Sequence, residues 1–489
     1  MADALQAARR ALAGRPAWLV GGATRDRRLG RSTTDLDVVV EGDPGEAARA
    51  IARAAGRAAC FALSEEFGAW RVSARDSSWQ VDVEPLRGGS LDADLALRDF
   101  TVNAIAEPIA GGEPIDPLGG LGDLAAGRLR MAAPDAFARD PLRVLRLVRV
   151  AVELGFEPEP DTLERARANA GGLGRCSPER VFAELQRIVA ARAVLRGLDL
   201  MSELGATEIV LPELEALRGV EQNRYHHADV HGHTLEVLRC TIALCDFAEG
   251  RIEHDTSAVG ARTQSGDDAL AALGAALGEH RPAVAALLAE PLADGLTRGE
   301  ALRWGALLHD AAKPLTRGVR PVDGRVTFIG HDQRGAELAR EVLTRLRASE
   351  RLRGHVAALV RNHLRLGFLV HEPQPISRRT VFEYMRATEP VEVDVTLLSV
   401  ADRLATRGDR AEQAIAAHLA VAEDMLGHAL GWRAEGPPAP LLRGDELARE
   451  LGIAPGPRLG ELLERLAQAQ FAGEVATREQ ALAHARALA

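Results

Sequence analysis

Hydrophobic and polar positions in the first hundred residues alternate in short blocks. Apolar runs at 18–20, 36–40, 70–72 and 80–83 have the length and composition of strands, and 45–59 has the spacing of a helix. Strands separated by helical stretches are typical of an α/β or α+β domain. The chain is therefore expected to begin with a head that contains a sheet.

From Asp116 onward the strand pattern stops and apolar residues recur at helical spacing. They are Leu142, Leu145, Val148 and Val152, then Val181, Leu185 and Ile188. Ser177-Pro178-Glu179 predicts a helix start, with a capping serine, a proline at the first helical position and an acid in the first turn. Histidines cluster from Tyr225 to His363, and the last helices follow Pro437-Pro438. These changes predict four segments, at 1–115, 116–220, 221–436 and 437–489.

Composition narrows the possible partners and compartments. The 489 residues carry a formal charge of -10, which excludes a globally positive surface and leaves RNA only a local basic stripe. Aromatic residues make up only 4%, which favours a mainly helical protein with one early sheet. Cys60, Cys176, Cys240 and Cys245 show no CxxC spacing and are expected to be buried thiols. The chain shows no apolar run long enough to cross a bilayer. We therefore expect a soluble, cytoplasmic protein without membrane contact.

Two aspartates in one predicted strand are the first candidate chemistry. Because side chains alternate along a strand, Asp35 and Asp37 project to one side while Leu36 points into the core. Two carboxylates placed in this way can share Mg²⁺ ions that activate a hydroxyl and stabilise a leaving pyrophosphate. Asp82 in the strand-like segment 80–83 is the expected third acid, with Glu84 as a weaker option.

A glycine pair lies just upstream of these acids. Gly21 and Gly22 stand at a predicted strand-to-helix turn, where bare backbone amides and Arg25 can cradle a triphosphate. Each motif alone is also compatible with a solvated strand edge or a simple turn. Their order along the chain favours a nucleotide site.

Four stretches together resemble the class II tRNA nucleotidyltransferase and bacterial poly(A) polymerase family, which includes the CCA-adding enzymes. They are 19–26 with Asp35 and Asp37, 98–104, 116–124 and 139–146. The resemblance implies an α+β fold, with a small nucleotidyltransferase head built on a mixed sheet, followed by an all-helical neck, an HD domain and a tail. It also implies template-independent addition of C and/or A residues to the 3′ end of tRNA, or of another RNA, from CTP and ATP.

The resemblance also implies roles for individual residues. Asp35 and Asp37 would hold Mg²⁺ and act in catalysis with Asp82. The expected nucleotide-binding residues are Gly21, Gly22, Arg25, Asp26, Arg98, Asp99, Asn103, Asp140, Arg143, Arg146 and Arg149. Asp140 and Arg143 would pair with the incoming base, while Arg146 and Arg149 would face phosphates or tRNA. Two alternatives stay open: a buried salt bridge at Arg98-Asp99, and an amphipathic helix whose wet face carries the arginines.

A histidine set further along resembles the HD phosphohydrolase superfamily. His309-Asp310, with His233 upstream and Asp402 downstream, implies a site for a divalent transition metal or Mg²⁺ that activates water against phosphoesters. His331 and His363 lie between them without an assigned role. His226, His227 and His231 are expected to face solvent or to support the metal ligands.

Two departures from the family pattern bear on which nucleotide is added. Arg139 stands where the family usually has an acid, and the connection from Asp82 to Arg98 is shorter than the family's flexible loop. Addition of CCA, CC or A alone therefore stays open, as does the oligomeric state. Poly(A) polymerase is the alternative within this enzyme class. Outside it stand an HD phosphohydrolase with a degenerate RNA-binding head, and a non-catalytic RNA chaperone.

Overall fold

The computed structural model describes residues 2–56, 58–64, 68–222, 228–252, 266–406 and 411–488. The chain forms two compact units, Met1–Val210 and Leu211–Ala489. Within the described ranges no helix is both long enough and apolar enough to cross a membrane. His226 and His227 lie outside the described residues.

The first unit opens with a six-stranded sheet. Its strands are β1 (Ala17–Val20), β2 (Asp35–Val40), β3 (Ala59–Ser64), β4 (Ala69–Ser73), β5 (Gln80–Pro85) and β6 (Glu107–Pro108). Their spatial order is β3-β4-β5-β2-β1-β6. Only the β2–β5 pair is parallel within this sheet, so the predicted mixed sheet is confirmed.

Helices pack around the sheet, and apolar residues on both of its faces are buried. They are α1 (Ala2–Ala11), α2 (Gly21–Arg28), α3 (Pro44–Ala54) and α4 (Leu91–Ala96). Leu36, Val38 and Val40 of β2 are buried in the core that also contains residues of α1 and α3. Val39 lies in a second core with Leu95 of α4. Because side chains alternate along a strand, Asp35 and Asp37 lie on the same face of β2 as Val39.

The prediction of a helix over 45–59 is wrong at its end. Helix α3 stops at Ala54, Gly56 adopts a left-handed φ of 77°, and Ala59 begins β3, which the sequence pattern did not reveal. A left-handed glycine ends a helix readily because it has no Cβ to clash. The exposed pattern of β3 explains the missed strand, because it lacks a buried alternate face.

The rest of the first unit is mainly helical, as predicted. Its elements are α5 (Gly120–Ala126), β7 (Arg128–Leu129), α6 (Ala136–Arg139), α7 (Arg143–Leu154), β8 (Glu157–Pro158), α8 (Pro160–Asn169), α9 (Pro178–Ala190), α10 (Val194–Glu203) and α11 (Thr207–Val210). Helix α9 begins at Pro178, as the Ser177-Pro178-Glu179 pattern predicts. The Ser177 side chain makes no capping hydrogen bond, so proline and Glu179 mark this start.

The second unit is built almost wholly from helices. They are α12 (Pro212–Glu215), α13 (Val230–Ala248), α14 (Gly266–Leu277), α15 (Arg281–Leu288), α16 (Arg298–Leu308), α17 (Lys313–Thr316), α18 (His331–Arg345), α19 (Glu350–Asn362), α20 (Arg365–Leu369), α21 (Arg378–Thr388), α22 (Glu392–Ala405), α23 (Ala411–Glu435), α24 (Gly444–Leu451), α25 (Pro457–Phe471) and α26 (Arg478–Leu488). Two short hairpins are added, β9 (Pro291–Ala293) with β10 (Leu296–Thr297) and β11 (Gly318–Val319) with β12 (Val326–Thr327).

The cysteines depart in part from expectation. Cys240 and Cys245 are buried, but Cys60 and Cys176 are partly exposed. Cys60 lies on β3, whose side chains are mostly open to solvent.

Candidate active site and metal cluster

The strand register brings three acids to the centre of the head. In the parallel β2–β5 pair, Asp37 lies opposite Asp82 and Asp35 lies opposite Gln80. Asp37 also lies opposite Val20, the last residue of β1, so the turn that follows β1 is next to its carboxylate. Asp35, Asp37 and Asp82 all line one cavity of about 710 Å³.

Gly21 brings the backbone of the turn up to Asp37. It has a left-handed φ of 70°, and a Cβ at this position would lie 2.9 Å from Asp37 Oδ2. A side chain here would strain the backbone and collide with the carboxylate. Both glycines of the predicted phosphate turn line the cavity.

Asp37 is a carboxylate whose charge is unfavourable in the absence of a cation. Burial and the negative charges of Asp82, Glu84 and Asp35 raise its pKa to about 6, against the opposing effect of Arg98. Such a cluster of oxygen ligands suits a hard divalent cation, which would relieve the repulsion.

Asp82 is tied to a partner that the sequence did not suggest. Arg71 of β4 lies opposite it in the register, and its Nε and Nη2 each donate to the Asp82 carboxylate at 2.7 Å. The guanidinium neutralises the third acid and fixes its orientation. Arg71 lines the same cavity.

Arg25 and Asn103 form the next wall of the cavity. Arg25 Nη1 donates to Asn103 Oδ1 at 2.7 Å, and its Nε donates to Asp26 at 2.9 Å. Asn103 in turn donates to Asp99 Oδ1 at 2.9 Å. This chain of hydrogen bonds holds the predicted residues of two distant motifs together.

Arg98 and Asp99 are each ion-paired, but not with each other. Arg98 pairs with Asp94 at 3.0 Å, and Asp99 pairs with Arg146 at 3.3 Å. Burial by itself would raise the pKa of Asp99. The charge of Arg146 and the hydrogen bonds from Asn103 and the Phe100 amide outweigh this effect, so the pKa of Asp99 lies below its ordinary value. The alternative of an Arg98–Asp99 salt bridge is thereby replaced by two separate pairs.

The predicted arginines of α7 meet an acid on α9. Glu184 accepts from Arg146 Nε at 3.3 Å and from Arg149 Nε at 2.5 Å, and Glu153 also binds Arg149. Arg149 and Glu184 are both buried. Arg146 and Arg149 line the cavity, so α7 is more than a solvated face.

The predicted base-reading residues are placed differently from one another. Arg143 lines the cavity, with its guanidinium donating to the carbonyls of Leu97 and Arg98 at 2.7 and 3.1 Å. Asp140 is not among the residues that line it, and accepts from Arg180 at 2.7 Å. Arg139 is paired with Asp135.

The structure thus gathers most of the predicted site residues around one cavity. Those that line it are Gly21, Gly22, Arg25, Asp26, Asp35, Asp37, Asp82, Arg98, Asp99, Asn103, Arg143, Arg146 and Arg149. The residues that sequence reasoning missed are Arg71, Asp94 and Glu184. Each is the ion-pair partner of a predicted residue: Arg71 and Asp94 also line the cavity, whereas Glu184 reaches the site through Arg146 and Arg149.

A second cluster lies in the second unit. His233 of α13 is 3.0 Å from Asp402 of α22, and His309 is 3.1 Å from Asp310, which directly follow α16. His233 Nε2 lies 3.7 Å from Asp310, so the four residues predicted as ligands meet. Asp310 and His309 are almost fully buried. Their nitrogen and oxygen donors fit a divalent cation.

Two further histidines join this cluster. His331 Nε2 is 3.4 Å from Asp310 Oδ1, and His363 completes a second set of potential metal ligands with these two residues. His231, also on α13, is buried and does not face solvent. Burial lowers the pKa of His363 to about 4, which keeps it neutral and able to bind a metal.

Three family models match separate parts of the chain. The poly A polymerase head domain matches residues 17–130, and the probable RNA and SrmB-binding site of polymerase A matches residues 155–217. The HD domain matches residues 278–407.

Curated relatives match almost the whole length. The A-adding tRNA nucleotidyltransferase of Deinococcus radiodurans is 36% identical over 95% of this chain and 94% of that protein. The CC-adding tRNA nucleotidyltransferase of Thermus thermophilus is 32% identical over 96% of this chain and 92% of that protein.

Solved structures share the fold. A CCA-adding enzyme in an apo form has a TM-score of 0.59 at 18% identity, covering 99% of this chain and 93% of that one. The Thermotoga maritima CCA-adding enzyme complexed with tRNA has a TM-score of 0.56 at 19% identity, covering 97% and 91%. At these identities the likeness concerns the fold alone.

Proposed function

The chain belongs to the tRNA nucleotidyltransferase family, and we propose that Asp35 and Asp37 hold its divalent metal ions, Mg²⁺ by preference, while C or A residues are added to the 3′ end of tRNA. In this reaction the terminal hydroxyl oxygen forms a bond to the α-phosphorus of CTP or ATP. The bond to the β-phosphate breaks, pyrophosphate leaves, and the hydroxyl loses its proton.

The observation that carries this proposal is the set of acids on two adjacent parallel strands. Asp35, Asp37 and Asp82 face one cavity at the end of β1, where Gly21 lets the backbone approach. The raised pKa of Asp37 supports a cation site, because a bound cation would favour its charged form where the Arg98 charge alone does not offset burial and the neighbouring acids. When bound, the ions supply charge neutralisation at the reacting phosphate and activate the attacking hydroxyl.

Arg98 is the residue we propose for binding the triphosphate. Its Nη2 is held by Asp94 at 3.0 Å, its Nη1 lies 3.5 Å from the position of a Cβ on Gly21, and its buried Nε has no hydrogen-bond partner among the described residues. Arg98 therefore has donors left for phosphate oxygens. Arg25 and Asn103 would hold the floor of the cavity, and Asp26 and Asp99 would fix their orientation.

We assign selection of the incoming base to the residues at the start of α7. Asp140 and Arg143 would read the base after exchanging their contacts with Arg180 and with the carbonyls of Leu97 and Arg98. Only residues 86–90 connect β5 to α4. So short a connection gives the pocket little room to change shape, so we propose that the enzyme adds one kind of base and does not switch from C to A.

The proposal is tested with tRNA transcripts that end before C, after CC and after CCA. Each is incubated with labelled CTP, labelled ATP or both, and products are resolved at single-nucleotide length. We expect a product of defined length from only one of the two nucleotides. Synthesis of complete CCA would refute the single-base proposal, and a long ATP-only product would favour poly(A) polymerase.

The metal roles are tested by substitution. Asp37→Asn is expected to lower the rate at least about a hundredfold, because a lost metal ligand removes several kcal/mol of transition-state stabilisation. Asp76→Asn changes an exposed aspartate of the same head, hydrogen-bonded to Ser78, and serves as the matched control. Equal rates in the two variants would remove Asp37 from the reaction.

We propose that a metal centre in the second unit hydrolyses phosphoesters. Its ligands are His233, His309, Asp310 and Asp402. Its support is the convergence of four buried or partly buried ligands from three regions of the second unit. Hydrolysis of bis(p-nitrophenyl) phosphate with Co²⁺ or Mn²⁺ provides the assay, and unchanged hydrolysis by His309→Ala would refute this centre.

A further inference from the structure

Arg71 lies at the end of a row of residues that crosses the sheet of the head. In the register of the central strands, Val20 of β1 lies opposite Asp37 of β2, and Asp37 lies opposite Asp82 of β5. Asp82 in turn lies opposite Arg71 of β4. Gly21, the first residue of the proposed phosphate turn, follows Val20. The row therefore runs from the phosphate turn through two acids to an arginine.

The side chain of Arg71 belongs to the face of the sheet that carries the acids. Its neighbour Trp70 packs against the core that contains residues of α1 and α3, and successive side chains of a strand point to opposite faces. Arg71, Asp37 and Asp82 accordingly line the same cavity. Among the described residues of this sheet, Arg71 is the only cation that lines it. It is therefore the group of the sheet that can attract an anion to this face.

Asp82 holds the guanidinium of Arg71 and leaves part of it unused. Nε and Nη2 each donate to a different carboxylate oxygen of Asp82 at 2.7 Å, which is the planar two-bond arrangement that orients an arginine. Nη1 makes no hydrogen bond with any described residue, and the side chain is 28% exposed. Every nitrogen of a guanidinium carries N–H groups, so those of Nη1 remain available for phosphate oxygens.

The geometry of nucleotide transfer gives the two substrates opposite sides of the cation site. In an in-line displacement the attacking oxygen approaches the phosphorus from the side opposite to the leaving group. The leaving pyrophosphate is proposed at the phosphate turn, and the metal ions at Asp35 and Asp37 of the neighbouring strand. The acceptor hydroxyl should therefore come from the β4 side, where Arg71 lies. Three strand spacings, about 14 Å, separate β1 from β4.

We infer that Arg71 binds the last phosphate group of the acceptor RNA, and that Asp82 is the positioning residue that holds its guanidinium. The inference rests on the proposed nucleotide addition, since that reaction brings a 3′ hydroxyl to the metal ions. The phosphate that links the terminal nucleotide to the rest of the strand carries a negative charge. On this face it would be repelled by the acids of the sheet, and the charge of Arg71 offsets that repulsion.

The test compares an ordinary and a neutral linkage at the end of the acceptor. A tRNA that the wild type extends is prepared with a methylphosphonate in place of its last phosphate, on a 2′-deoxy residue. The reference RNA carries an ordinary phosphate on the same 2′-deoxy residue. Steady-state addition gives the KM of each RNA and of the nucleotide. In the wild type the neutral linkage should raise the acceptor KM at least about tenfold, because a charge-assisted hydrogen bond is lost.

Substitution of Arg71 should have the same effect from the protein side. Arg71→Gln should raise the acceptor KM at least about tenfold with the ordinary linkage, and the neutral linkage should then add less than about twofold. Its nucleotide KM should change by less than about twofold, whereas Arg98→Gln should raise the nucleotide KM and spare the acceptor KM. Arg71→Lys keeps the charge and should recover part of the acceptor binding.

Arg49→Gln is the matched control. Arg49 belongs to the same head, and its guanidinium lies 5.0 Å from the centre of the Trp70 ring, on the face of the sheet opposite to Arg71. The same loss of charge should there leave both KM values unchanged. Circular dichroism checks that every variant is folded.

A neutral linkage without effect in the wild type, or with an equal effect in Arg71→Gln, would overturn the assignment of Arg71. A raised nucleotide KM with an unchanged acceptor KM would also overturn it and place Arg71 on the triphosphate. A lower kcat with both KM values unchanged would limit Arg71 to holding Asp82. No addition by the wild type to any unmodified tRNA would overturn the proposed function, and this inference with it. The comparison of linkages in the wild type is decisive even if a variant fails to fold.

Discussion

Gly21 shows how one residue can connect backbone conformation to chemistry. Because its φ is 70° and an added Cβ would lie 2.9 Å from Asp37 Oδ2, Gly21→Ala should strain the turn and displace the carboxylate. We expect a loss of about 1–2 kcal/mol in the free energy of unfolding. Misplacement of a metal ligand should lower nucleotide addition by up to about a hundredfold.

Gly22→Ala is the control for this prediction. A Cβ at Gly22 meets only the flexible end of Arg25, at 3.4 Å, and the residue lies within α2. Its free energy of unfolding should be unchanged or higher by up to about 1 kcal/mol, since alanine favours a helix. Equal destabilisation of the two variants in urea titrations would contradict the special role of Gly21.

Asp37 should also make stability depend on pH in a definite direction. Its folded pKa is raised from 3.8 to about 6, so between these values the folded state keeps a proton that the unfolded state has lost. Without metal, the free energy of unfolding should therefore fall as pH rises from about 4 to 6 and stay low above.

Asp37→Asn removes this titration and provides the comparison. In EDTA at pH 7.5 the variant should be more stable than the wild type by on the order of 2 kcal/mol, and the difference should shrink towards pH 4. Mg²⁺ should narrow it at neutral pH, because the ion stabilises only the protein that binds it. Urea titrations at both pH values measure this, and a difference independent of pH would contradict the assignment.

At the scale of elements, the contact between α7 and α9 holds one wall of the cavity. Glu184 binds Arg146 and Arg149, and Arg149 and Glu184 are both buried. Glu184→Ala leaves a buried guanidinium short of its partner, which should cost about 3–5 kcal/mol. Urea unfolding of the full chain measures this loss.

An exposed pair offers the matched comparison. Arg167 and Glu203 lie 2.9 Å apart with both side chains 52% exposed, so Glu203→Ala should cost less than about 1 kcal/mol. If both substitutions had the same small effect, the α7–α9 network would contribute little to stability.

The elements also show how far the sequence pattern reached. The positions of β1, β2, β4 and β5 were predicted because each combines a short apolar run with flanking turn residues. The end of α3 and the exposed strand β3 were not predicted, because neither changes the spacing of apolar residues along the chain.

At the scale of the whole molecule, the two proposed centres lie in separate compact units. We expect them to fail independently. His309→Ala should lose Co²⁺-dependent hydrolysis of bis(p-nitrophenyl) phosphate and keep nucleotide addition, whereas Asp37→Asn should do the reverse. Loss of both activities in either variant, with the fold intact, would show that the centres are coupled.

The sequence by itself determined the family and the mixed-sheet head, and it pointed to most of the residues that the structure gathers in the head cavity and in the histidine-aspartate cluster. It could do so because these motif residues lie close together in the chain. Alternation along a strand places Asp35 and Asp37 on one face, and His309 and Asp310 are consecutive residues. Only the tertiary structure decided the partners, since these come from distant segments. It paired Arg25 with Asn103 and Arg146 with Glu184, and it placed His331 and His363 around Asp310. Contacts between distant segments leave no period or spacing in the chain, because they depend on how whole elements pack.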